Sequence, residues 1–216
     1  MSKQILEQIK QSKIIAIVRG IPVAQMIDLI EAIERGGIRC VEVTFDQSSA
    51  TGEADTCAAI SAICAHFGDR ICVGAGTVMT VQQVQLAAQA GAQYMISPNV
   101  DEAVIRETKR LDKISIPGAF TPTEAAAAYQ YGADIVKLFP AGILGTAYIK
   151  ALKAPLKHIP VTAVGGVTPE NCAQFIQAGA IGVGVGGNLV SPQLVQQGRF
   201  DEITAIARQY VQALNS

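Results

Sequence analysis

The sequence predicts a (β/α)8 barrel in a single domain, residues 1–216, with a short N-terminal helix over residues 1–13. Three observations predict it. Short β-rich apolar runs alternate with longer stretches of helical period, the alternation occurs eight times, and the runs begin about 20 to 33 residues apart. That spacing is close to the minimum for a strand, a crossover helix and two short loops. Eight such units close most economically as a barrel at this length. The alternative, a doubly wound open sheet, usually has fewer strands.

The N-terminal segment sets Ile5, Leu6 and Ile9 among Lys and Gln, an amphipathic helix pattern. It lacks the apolar core of a signal peptide, so a cytoplasmic protein is expected. The strand runs are Ile14–Val18, Ile38–Phe45, Ile71–Gly74, Tyr94–Ser97, Ile114–Pro117, Asp134–Phe139, Val161–Val164 and Ile181–Val185. Helix signals fill the gaps between them. Thr121-Pro122-Thr123-Glu124 places a capping residue and a first-turn Pro before an Ala run, and Thr168-Pro169-Glu170 reads the same way. Gly36-Gly37, Gly68, Gly91, Gly132 and Gly179 stand where helices end before the next strand, the left-handed C-cap position.

Composition narrows the function classes. Half of the residues are apolar, and 17 basic against 18 acidic residues give a net charge of −1. This offers no electrostatic footprint for nucleic acid or an anionic membrane. Two charge-free stretches, Ile71 to Val100 and Asn171 to Gly198, are broken by Gln, Gly and Pro, so neither is expected to span a bilayer. Five cysteines without a C-x-x-C pair, and only two histidines, argue against a zinc site or disulfide framework.

Active sites of such barrels lie at the carboxyl ends of the strands, so polar residues there are the candidates. Alternation in Asp134-Ile-Val-Lys137-Leu-Phe139-Pro140 puts Ile135, Lys137 and Phe139 on one strand face. A buried lysine loses hydration, which lowers its pKa and frees a neutral amine to attack a carbonyl. The plainer reading is a structural lysine paired with a carboxylate or reaching for the barrel mouth. Glu42 is a second ionisable residue inside a strand, on one face with Cys40 and Thr44. Together the two suit Schiff-base chemistry, whose steps are largely proton transfers; a structural ion pair is the other reading.

Arg19 falls in register with Ile15 and Ile17 and has the fork geometry for a carboxylate or phosphate, unless it is only a surface cation at a strand end. Gly74-Ala-Gly76-Thr77 and Ser97-Pro98-Asn99 read as tight turns that could bring backbone and a hydroxyl near a ligand, or as turns alone. Gly165-Gly166 and Gly184-Val-Gly186-Gly187 follow the seventh and eighth strand runs. Barrels frequently bind phosphate with backbone N–H groups of these two loops and an adjoining helix N-terminus. A phosphorylated ligand is therefore expected, with glycines that merely close a tight barrel as the alternative.

These segments, in this order, resemble the class I aldolases of the 2-keto-3-deoxy-6-phosphogluconate (KDPG) and 4-hydroxy-2-oxoglutarate (KHG) family. The similarity runs from about Ile14 to Val190 and includes Ala16-Ile-Val-Arg19-Gly20, Val41-Glu42-Val-Thr44, Gly74-Ala-Gly76-Thr77-Val78, Ser97-Pro98, Pro117-Gly118, Val136-Lys137-Leu-Phe139-Pro140 and Gly165-Gly166-Val-Thr-Pro-Glu170-Asn171. The resemblance implies a carbon–carbon lyase on a (β/α)8 barrel, usually a homotrimer, with no metal or organic cofactor. Its substrate is a phosphorylated keto acid, cleaved reversibly to pyruvate and glyceraldehyde 3-phosphate, as in the Entner–Doudoroff route.

Lys137 then corresponds to the Schiff-base former and Glu42 to the proton shuttle. Arg19, Thr77, Pro98 and Phe139 correspond to positions around the substrate, and the Gly165-Gly166 and Gly186-Gly187 loops to the phosphate site. Three departures stand out. Asp46 followed by Gln47 occupies the place where phosphogluconate enzymes usually carry Arg. Val164 replaces the Thr that precedes Gly-Gly, as in the phosphogalactonate branch, and Gly187 stands where many members have Ser. A 2-dehydro-3-deoxy-6-phosphogalactonate aldolase is therefore the alternative. A cofactor-free sugar-phosphate isomerase or epimerase would use the glycine loops without needing Lys137, and a phosphosugar-binding protein would need neither Lys137 nor Glu42.

Overall fold

The computed structural model describes residues 2–215, and in it parallel strands alternate with helices around a nearly closed barrel. The strands are β1 (Ile14–Val18), β2 (Cys40–Thr44), β3 (Cys72–Gly76), β4 (Tyr94–Ile96), β5 (Ile114–Ile116), β6 (Gly118–Ala119), β7 (Val136–Leu138), β8 (Val161–Val164) and β9 (Gly182–Val185). Their hydrogen-bonded order is β5-β4-β3-β2-β1-β9-β8-β7-β6. The two ends of that order, β5 and β6, are consecutive in sequence and separated only by Pro117. Proline has no N–H for the ladder, so the expected fifth strand appears in two pieces. Its carbonyls still serve β7: Lys137 N–H donates to Pro117 O at 2.9 Å and Asp134 N–H to Ser115 O at 3.0 Å. Counting β5 and β6 as one stave gives the eight of the expected barrel.

Two other expectations change. Gly74 to Gly76, read as a turn, completes β3 in register with Glu42 to Thr44 of β2. Thr168 does not cap the next helix, α8 (Cys172–Gln177); Asn171 precedes it and accepts from Thr168 N–H at 2.8 Å. By contrast Thr121 and Glu124 form a reciprocal capping box on α6 (Pro122–Gln130). Gly37, Gly68, Gly91, Gly132 and Gly179 all have positive φ at helix ends, as expected.

Burial follows the period-two alternation. Outward-facing Val41, Val43, Val136, Leu138, Val161 and Ala163 join the helices in one large apolar layer. Inward-facing Ile15, Cys40, Cys72, Tyr94, Ile96, Ile114, Ile116 and Ile135 fill the barrel itself, and Ile5 and Ile9 of α1 (Ser2–Ser12) cluster with them. Tyr94 fits because Gly74 has no side chain: a Cβ there would lie 2.1 Å from the ring. The interior is thus packed solid with apolar groups over one part of its length, which leaves Glu42 and Lys137 as the charged residues of the other. All five cysteines are free thiols. Among the described residues no helix is long and apolar enough to cross a membrane.

Candidate active site

The carboxyl ends of the strands open onto a cavity of about 360 Å³. Its walls bring together eleven of the residues singled out in the sequence, while Gly74, Gly76, Ser97 and Asn99 do not line it. Arg19 and Glu42 come from β1 and β2, Thr77 and Pro98 from the turns after β3 and β4, and Lys137 and Phe139 from β7 and its exit. Val164, Gly165 and Gly166 come from the end of β8, and Gly186 and Gly187 from the loop after β9. A larger cavity of about 490 Å³ lies beside β1 and β2 and contains Asp46 and Asp55. Its walls carry no lysine, arginine, histidine or cysteine, so it offers neither an amine for a carbonyl nor a cation for an anionic substrate, and the smaller cavity is the candidate.

Lys137 and Glu42 are 7% and 2% exposed, and β1, β9 and β8 lie between their strands. Burial lowers the Lys137 pKa from its usual range; Glu42 opposes that shift and Arg19 reinforces it. Burial also pushes the Glu42 carboxyl up to about 6, against the pull of Lys137 and Arg19. Both shifts favour the uncharged forms, a free amine and a proton-carrying carboxyl. Glu42 Oε2 is buried without a hydrogen-bond partner among the described residues. An orphaned carboxylate oxygen is costly in a folded core unless a ligand or water meets it, which makes Glu42 a candidate site residue. Lys137 Nζ lies 5.0 Å from the centre of the Phe139 ring.

Arg19 is held at the rim. Its guanidinium donates to Thr77 Oγ1 at 3.2 Å, and Thr77 itself sits at φ +55°. That left-handed backbone is uncommon for a β-branched residue and needs support from its surroundings. Gln47 supplies it, donating to Thr77 O at 2.8 Å while accepting from the Gln83 amide at 3.0 Å. Gln83 in turn accepts from Met79 N–H at 2.8 Å. The position beside the missing arginine thus serves the turn that presents Thr77.

The sequence reading missed Gln47 in this role because its partner lies 30 residues away. It also missed Ile17, Val167 and Asn188 in the cavity wall, where Gly184 and Val185 of the expected glycine loop stand as well. Ile17 and Gly184 were legible by period two, being two residues before Arg19 and Gly186. The glycine loops differ from expectation in one respect. The helices that follow them, α8 and α9 (Pro192–Gln196), are short and begin several residues beyond the glycines, so loop amides form the wall.

The family model for KDPG and KHG aldolase matches residues 5–206. The chain belongs to this family. Over 202 residues it is 37% identical to the 2-dehydro-3-deoxy-6-phosphogalactonate aldolase of Escherichia coli K12, covering 93% of this chain and 96% of the relative. It is 34% identical over 209 residues to the 2-dehydro-3-deoxy-phosphogluconate aldolase of Treponema pallidum, covering 96% of each. A solved native KDPGal structure matches with a TM-score of 0.83 at 37% identity over 94% of both chains. Like these relatives, this member of the KDPG and KHG aldolase family is a carbon–carbon lyase.

Proposed function

We infer that the protein cleaves a 2-keto-3-deoxy-6-phospho sugar acid reversibly to pyruvate and glyceraldehyde 3-phosphate through a Schiff base on Lys137. The observation that carries this reading is the pair of buried groups of opposite sign in one cavity, with the amine pKa lowered and the carboxyl raised to about 6. Neutral Lys137 adds to the C2 ketone, and Glu42 donates the proton with which the carbinolamine oxygen leaves as water. The iminium accepts electrons as the C3–C4 bond breaks, while Glu42 takes the C4-hydroxyl proton. Glyceraldehyde 3-phosphate departs, the enamine is protonated at C3, and hydrolysis frees pyruvate and the lysine.

Arg19 and Thr77 are assigned to the keto-acid carboxylate, Pro98 and Phe139 to the walls around the reacting carbons, and the glycine loops to phosphate. Val164 supports a second reading, the phosphogalactonate substrate, because it offers a C4 hydroxyl no hydrogen bond. Comparing kcat/KM for the two C4 epimers, with pyruvate release as the readout, tests both. Failure to release pyruvate from either would reject the reading. The homotrimer and the cytoplasmic location belong to the same proposal; light scattering and cell fractionation measure them.

A further inference from the structure

The loop after β8 turns all three of its carbonyls into other partners. Gly165 O accepts from Gly142 N–H at 2.8 Å. Gly166 O accepts from the Asn171 amide at 3.0 Å. Val167 O accepts from the Asn188 amide at 2.9 Å and from the Tyr210 hydroxyl at 3.0 Å. A peptide unit is planar and trans, so its N–H points opposite to its C=O. Fixing the Gly165 and Gly166 carbonyls therefore fixes the direction of the Gly166 and Val167 N–H groups. Among the described residues neither N–H donates to a backbone carbonyl.

Three side chains brace this loop, and of them Asn171 holds the carbonyl whose peptide carries the Val167 N–H, while Asn188 and Tyr210 hold the next peptide. Asn171 precedes α8 and also accepts from Thr168 N–H at 2.8 Å, so both ends of its side chain brace the same loop. Asn188 follows Gly187 and ties the loop after β9 to the loop after β8. Tyr210 lies on α10 (Phe200–Asn215), with no exposed surface, and reaches Val167 from outside the cavity. Left-handed φ values of +90° at Gly165 and +73° at Gly166 let the loop present successive amides in this way.

We propose that Asn171 is a positioning residue that pre-organises the Val167 amide for the phosphate of the substrate, beside the Gly166 amide whose direction Gly142 sets through the Gly165 carbonyl. This rests on the phosphate assignment above and names what holds that subsite in shape. Asn171 does not line the cavity, so it acts through the loop and not on the ligand. The ordering of the amides is complete before binding, and a phosphate dianion receives donors that need no rearrangement.

The test measures kcat and KM for the phosphorylated keto acid and for unphosphorylated 4-hydroxy-2-oxoglutarate in wild type, Asn171→Ala and Tyr210→Phe. Loss of one orienting hydrogen bond should raise KM for the phosphorylated substrate about 3- to 10-fold in Asn171→Ala, with kcat within about 2-fold. Tyr210→Phe is the control: it loses a bond to the peptide that carries Thr168 N–H, leaves Val167 O its Asn188 partner, and should keep KM for the phosphorylated substrate within about 2-fold. KM for 4-hydroxy-2-oxoglutarate should not move in either variant. An equal rise for both substrates in Asn171→Ala, or no rise for the phosphorylated one, would overturn the positioning role. Should Asn171→Ala fail to fold, Asn171→Ser, which is too short to reach Gly166 O, decides by the same comparison. A wild type with no preference for the phosphorylated substrate would instead reject the phosphate assignment itself.

Discussion

The Glu42 carboxylate reaches along β3 to Gly76, two residues beyond its register partner Gly74, and a Cβ on Gly76 would lie 2.8 Å from Glu42 Oε1. The same atom would meet the Thr44 methyl at 2.9 Å. Both neighbours are ends of side chains, so Gly76→Ala should fold and displace the carboxylate. Turnover is expected to fall at least tenfold, a loss of about 1.4 kcal/mol of transition-state stabilisation. Steady-state kinetics with circular dichroism checks this; full activity would mean that Glu42 is not held in place by the glycine.

Glu42→Gln keeps the side-chain volume and removes the proton carrier, so kcat should fall on the order of 10²–10⁴-fold. The wild type should lose kcat/KM below about pH 6, where Glu42 protonates, and the Gln variant should lack that limb. A pH–rate profile of both proteins is the check, and an unchanged acid limb in the variant would assign it to another group.

The raised Glu42 pKa also has a consequence for stability. The folded chain binds the proton more tightly than the unfolded one, so Glu42's contribution is fully present below about pH 4.5 and is lost as pH rises through about 6. The loss is about 2 kcal/mol at neutral pH. Relative to wild type, Glu42→Gln should therefore gain about that much stability between pH 4 and pH 7. Urea unfolding at the two pH values measures it, and a constant difference would contradict the raised pKa.

Gly187 has open space around the position of a Cβ, without a positive φ. Gly187→Ser should fold normally and add a hydroxyl donor to a wall otherwise made of backbone amides. KM for the phosphorylated substrate should fall by about one hydrogen bond, roughly 0.5–1.5 kcal/mol. No change would place the phosphate away from this loop.

Val164 lines the cavity, and its methyls fill the space that Gly184 leaves, where a Cβ would lie 2.9 Å from Cγ2. Val164→Thr is nearly isosteric and should shift the kcat/KM ratio toward the gluconate epimer by roughly 0.5–1.5 kcal/mol. An unchanged ratio would move the selectivity to the Asp46-Gln47 loop.

The fold was legible wherever burial alone shapes the chain. β1 and β8 coincide with their predicted runs because β-branched residues there are bounded by polar or turn residues on both sides. Lys137 and Glu42 were legible because a charge inside an apolar strand is expensive and stands out. Pro117 was visible but counted as a strand residue, although its missing N–H splits the stave. Gly74 to Gly76 reads as a turn by composition, yet these glycines are strand residues that make room for Tyr94 and Glu42. The bracing contacts of Asn171, Gln47 and Tyr210 were not legible, since each is a hydrogen bond to a backbone oxygen that only the fold brings near.

Covalent chemistry on Lys137 is the central claim, and reduction with borohydride in the presence of pyruvate tests it most directly. Peptide mass spectrometry should find one reduced pyruvyl group, on Lys137, and Lys137→Ala should take up none and show no turnover. An adduct on Lys150 or Lys153, or turnover that survives the substitution, would contradict the account.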